Sequence, residues 1–263
     1  MKRTNIFSIL RYAAFACAWI ASLLQAIAIF TNYGTRANYF HPGSVLPFIA
    51  ALVAILSWVL GIVSGLPTKS ADTNSSPIAP ALLPSLPACI GFVVAAFGMF
   101  STGVTATTLL VATLLLLSAI YCVFSALPKT PMLGCAAILG CALLNAYYYF
   151  DMSVEMNAPL KVLLQTALLF AMIYYTAELR FLLGRGMPRL YTIVAYATVA
   201  FCALAALAVP LAFLLGKFNR IEYATGGILM LGIALTVLLR IQHFYSANTP
   251  LTEEIDCKEE SAE

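Results

Sequence analysis

Eight stretches of the chain are almost unbroken runs of apolar residues, and polar clusters separate them. The stretches cover residues 12–31, 45–65, 86–103, 106–127, 132–150, 160–182, 190–215 and 223–242. A helix rises about 1.5 Å per residue, so about 20 apolar residues cross a hydrocarbon core about 30 Å thick. The pattern therefore predicts an all-α, polytopic bundle of eight transmembrane helices. Only the Ser101-Thr102-Gly103 region separates the third stretch from the fourth. Together they hold too many apolar residues for one crossing, which predicts a tight hairpin. The first stretch follows Lys2, Arg3 and Arg11, as in a secretory signal, but it continues to Phe30. That is longer than an ordinary signal core, and the pattern predicts an uncleaved first helix.

Two segments break the apolar pattern. Residues 67–87 carry Pro67, Pro77, Pro80, Pro84 and Pro87 among Ser, Thr and Asn, and are expected to form a flexible connector. Residues 247–263 are polar and acidic and are expected to be a disordered tail. The expected organisation is a transmembrane domain over 1–246 followed by this tail. Both segments are candidates for docking a membrane-protein partner.

The cations are distributed unevenly between the two sides. With the N-terminus inside, the inner segments carry Lys2, Arg3, Arg11, Lys69, Lys129, Arg180, Arg185, Arg189, Arg240 and Lys258. The outer segments carry Arg36, Lys161, Lys217 and Arg220. Ten against four predicts that both termini are inside, because Lys and Arg are retained on the cytoplasmic side. The bias fits a bacterial cytoplasmic membrane.

A weak internal similarity suggests two parallel halves, 1–128 and 129–246. Leu23–Phe30 resembles Leu143–Phe150 at an offset of 120 residues. Ser101-Thr102-Gly103 aligns with Ala224-Thr225-Gly226, and Phe124-Ser125-Ala126 with Tyr245-Ser246-Ala247. Four spans per half would give both halves the same orientation. Gln25 and Asn145 would then line a pseudo-symmetric cavity between them.

Composition narrows the classes of function. Of 263 residues, 62% are hydrophobic and 10% are charged, with a mean hydropathy of +0.93. Soluble domains carry roughly 25% charged residues, so most of this surface faces lipid rather than water. A soluble enzyme, a disulfide scaffold and a disordered chain are excluded. The seven cysteines form no CxxC pair and read as small buried hydrophobes. No phosphate-loop, HExxH or GxSxG motif is present, and His41 and His243 fall toward opposite sides of the membrane. The expectation is a protein without catalysis, cofactor, bound metal or nucleic-acid partner.

A few polar residues remain as candidates for a ligand or pathway. Glu178 is the one carboxylate within an apolar stretch. A charge there costs roughly 2.5–3.5 kcal/mol even on the gentler insertion scales, so it faces a cavity or partner, or reaches the interface near Arg180 and Arg185. Asp151, Glu155 and Lys161 cluster at the outer end of spans five and six. They suit either the dipole of the helix that Pro159 begins or a cation-selecting entrance. Gln25, Asn145 and Gln165 are uncharged polar groups at depth, and serve either as helix-to-helix hydrogen bonds or as contacts for a solute. Lys161 and Gln165 are four residues apart and share a helix face. With Asn145 they are candidates for a polar path from outside. The best reading is a transporter-like protein that binds or moves a small solute or ion. The alternative is a non-catalytic subunit or sensor that binds a protein partner.

Overall fold

The computed structural model describes residues 2–34, 39–65, 82–124 and 131–248. Eight helices account for nearly all of them: α1 (Lys2–Asn32), α2 (Leu46–Gly65), α3 (Leu82–Ser101), α4 (Ala106–Phe124), α5 (Pro131–Phe150), α6 (Pro159–Leu182), α7 (Pro188–Leu214) and α8 (Ile221–Asn248). All eight are long and apolar enough to span a membrane, and the protein is an all-α polytopic membrane bundle. A two-residue ribbon, β1 (Tyr33–Gly34) paired antiparallel with β2 (Tyr39–Phe40), lies between α1 and α2. The apolar pattern does not predict it.

The helix ends follow local chemistry. Pro159 and Pro188 occupy the first turns of α6 and α7, where the missing N–H has no partner to lose. Between α3 and α4 the chain reverses at Gly103, whose φ of 117° lies in the region that favours glycine. Thr105 and Thr108 then exchange side-chain to backbone hydrogen bonds of 2.8 and 3.2 Å, and these cap α4. The expected hairpin is therefore built from a positive-φ glycine and a threonine cap. Lys217, in the α7–α8 turn, donates to the Ile29 and Phe30 carbonyls at 2.8 Å each. These belong to the last turn of α1, where carbonyls lack an intrahelical partner.

Helices α3, α4, α5, α6 and α8 pack in sequence as a closed ring, with α8 returning against α3. Helix α7 lies against α6 and α8, and α1 and α2 pack on its other side. The packing does not separate at residue 128, because α1 sits on α7 and α3 on α8. Helix α7 is central: 67% of its spanning window is buried, against 22% for α2. Buried alanines along α7, including Ala195, Ala200, Ala203 and Ala208, allow this close approach. The small-residue stripe of α2 faces inward too: Ser57 Oγ donates to the Ala14 carbonyl at 2.7 Å, and Gly61 lies under the Tyr196 ring.

Three boundaries differ most from the expected spans, the first being the start of α1, at Lys2 rather than residue 12. Helix α3 begins at Leu82 and takes Pro84 and Pro87 into its first turns, so the connector is shorter than 67–87. Pro87 has no N–H to give, and the next amide, Ala88 N, donates outward to Thr236 Oγ1 on α8 at 2.9 Å. Helix α8 runs to Asn248, about a turn and a half beyond residue 242. The rest of the proline-rich connector and of the acidic tail lies outside the described residues.

Candidate functional site

Glu178 and Arg240 form an ion pair inside the ring near its inner end. Glu178 is fully buried and Arg240 is 4% exposed. The charge pattern alone places Arg240 among the cations of the inner segments. The extension of α8 instead leaves it eight residues from the helix end, inside the bundle. Glu178 accordingly does not reach solvent beside Arg180 and Arg185.

Four helices each supply one group to this centre. Glu178 comes from α6 and Arg240 from α8. Tyr121 of α4 donates to Glu178 Oε2 at 3.3 Å, and Arg240 Nη2 donates to Ser85 Oγ of α3 at 2.8 Å. The position of Ser85 depends on α3 starting early. Tyr174, four residues before Glu178, lies on the same face of α6 and shares a 3.1 Å hydroxyl contact with Tyr191 of α7. Tyr175 packs edge-on against Tyr121 at 6.3 Å and at a tilt against Phe92 at 6.1 Å. The pair thus sits between aromatic walls with two neutral hydroxyls attached. A low-dielectric site of this kind makes the pair's mutual attraction strong and its desolvation costly.

The candidates at the outer end are placed differently. Asp151 accepts a 2.9 Å bond from Ser153 N and a 3.0 Å bond from the Tyr223 hydroxyl of α8. Its carboxyl is held below the usual carboxylate range: partial burial acts upward, and is outweighed by the bonds from Ser153 and Tyr223 and by the charge of Arg220. Lys161 is 1% exposed, and its ammonium donates to the Asp151 and Val154 carbonyls at 2.7 and 3.2 Å. It fastens the 151–158 turn to α6. Glu155 lies beside the Tyr39 hydroxyl of the ribbon. Tyr148 donates to the Glu222 carbonyl at 2.8 Å and packs on Tyr223 at 4.5 Å. These contacts tie α5, the turn and α8 together.

Of the three amides, Gln25 lines a groove to which Asn145 and Gln165 do not contribute. Gln25, 6% exposed, lines an open groove of about 550 Å³ on the outer side, with Ser44, Phe48, Asn157 and Phe201. Asn145 is half-buried on α5, four residues beyond the buried Cys141, and its Oδ1 is buried without a hydrogen-bond partner among the described residues. Gln165 is half-buried on α6. No group of three His, Cys, Asp or Glu among the described residues is arranged to hold a metal ion.

Sequence reasoning missed Arg240, Tyr121, Ser85 and Tyr223. A usable signal existed for Arg240: apolar Ile241, Phe244 and Tyr245 follow it at helical spacing, past the polar Gln242 and His243. It also carries the opposite charge to Glu178 at a similar distance from the inner side. The chain matches no protein-family model, no curated protein and no solved structure.

Proposed function

We propose that the protein is a transporter-like carrier of a small solute, without catalytic activity, with the Glu178–Arg240 pair as its charged centre. The observation that carries this reading is the burial of that pair inside a ring of helices. Ionisable groups at membrane depth are expensive, and they typically mark a pathway or a relay. Stability alone gives no reason for the pair, since apolar replacements of buried ion pairs are often neutral or stabilising. The unpartnered Asn145 oxygen supports the same reading, because a buried acceptor without a donor is suited to a passing solute. The inner segment of α3 is the natural gate: Ser85 accepts from Arg240 there, and Pro87 interrupts the helix's own hydrogen bonds.

A carrier must open this interior to water, and a rigid subunit has no need to. Two native thiols report on the difference: Cys122, beside Tyr121, and Cys141, one turn from Asn145. Both are buried. The other cysteines are replaced by alanine or serine, and the protein in liposomes is treated with a small cationic methanethiosulfonate. Slow modification of Cys122, altered in rate by Glu178→Gln, is the expected result. Full protection of both thiols over hours, with ready labelling after unfolding in SDS, would overturn the carrier reading in favour of a subunit.

A further inference from the structure

A separate polar cavity lies between the inner ends of α1 and α8. Its volume is about 300 Å³, at the lower end of the roughly 300–1,000 Å³ typical of small-ligand sites. Ser8, Arg11 and Phe15 line it from α1, and Ile241, Gln242 and Tyr245 from α8. The Arg11 guanidinium lies over the Tyr245 ring, 4.1 Å from its centroid, so a cation–π contact fixes its plane. Its Nε donates to the Phe7 carbonyl at 3.4 Å and its Nη2 to Ser8 Oγ at 3.3 Å. Both contacts are long for hydrogen bonds. Among the described residues no carboxylate pairs with Arg11. A half-buried, oriented cation thus faces a concavity that also offers the glutamine amide of Gln242. Such a donor set matches the oxygens of a phosphate, which arginine grips with its planar fork.

We infer that this cavity binds a phosphate group. Its place near the charge-rich inner end of α1 puts it where inner-leaflet headgroups lie, with Phe15 and Ile241 positioned for the carbons beyond the phosphate. Free phosphate carries the same chemistry, so the test separates the two sources. The full-length protein, delipidated in a neutral maltoside detergent, is titrated calorimetrically with short-chain phosphatidylglycerol, with the matching diacylglycerol, and with inorganic phosphate. Saturable binding of one phosphatidylglycerol per chain is expected, with none of diacylglycerol and only weak binding of inorganic phosphate. Inorganic phosphate binding as tightly as the lipid would assign the site to the free anion. Arg11→Gln is expected to weaken the binding at least tenfold. Gln242→Glu changes an exposed residue and places a negative charge at the cavity, and it is expected to weaken binding without disturbing the fold. Absence of saturable binding of either phosphate probe, or wild-type binding by both variants, would overturn the inference.

Discussion

Removing one member of the Glu178–Arg240 pair is a different perturbation from removing both. Arg240→Met alone leaves a carboxylate in the bundle bonded to the Tyr121 hydroxyl but to no cation among the described residues, and breaking a buried pair in this way costs roughly 3–5 kcal/mol. Glu178→Gln alone leaves the guanidinium without its counter-charge, though still bonded to Ser85, at similar cost. The double variant Glu178→Gln/Arg240→Met leaves no buried charge at this centre and is expected to recover most of the lost stability. Thermal unfolding in detergent gives the three values, and additive losses would show that the two charges do not interact. At the outer end, Asp151 supplies a pH-dependent contribution. Its folded carboxyl is depressed, so the contribution is fully present above the unfolded value of about 3.9 and is lost as pH falls through the folded value. The wild type is expected to melt above Asp151→Asn at pH 7, and the gap to close in acid below about pH 4. An unchanged gap down to pH 2 would remove Asp151 from the stabilising contacts of this turn.

The contact between α3 and α8 shows what a hydrophobic pattern carries and what it omits. The apolar runs located both helices, because eighteen or more apolar residues read as a span whatever they pack against. They did not reveal that Gly232 lies against the Pro87 carbonyl, or that Thr236 receives the Ala88 amide. Those contacts depend on register between helices far apart in sequence, which periodicity does not encode. The same gap hid Ser85 and Tyr121, small or aromatic residues unremarkable within their own helices. Glu178 was legible because a lone carboxylate in an apolar run is costly wherever its partner lies. A Cβ at Gly232 would sit 2.3 Å from the Pro87 oxygen, which is backbone and has little room to yield. Gly232→Ala is expected to destabilise by about 1–3 kcal/mol. In an unconstrained helix the same change would add about 0.5–1 kcal/mol. Thr236→Val keeps the shape but strands the Ala88 amide, at about 1–3 kcal/mol. Thermal melting of the two variants checks both values, and a stabilised Gly232→Ala would mean that α3 and α8 are not held this close.

For the whole molecule, the arrangement in the membrane rests on charge, and the structure changes which charges count. Arg240 is inside the bundle, so nine inner cations remain from the ten counted in the sequence. On the outer side, Lys161 and Lys217 are held by backbone carbonyls of the α5–α6 turn and of α1. Two of the four outer cations thus have structural employment that accounts for their presence, while Arg185 and Arg189 of the α6–α7 turn are exposed. The surviving bias still predicts that turn, and with it both termini, on the inner side. The two ends of α6 provide a direct measurement, because Asn157 and Arg185 are both exposed and lie beyond opposite ends of the helix. In a protein whose native cysteines are replaced, a cysteine at 157 is expected to react with an impermeant maleimide added to intact cells. A cysteine at 185 is expected to react only after the cells are opened. The reverse pattern would put the termini outside, and would move the Glu178–Arg240 centre and the Arg11 cavity to the outer leaflet.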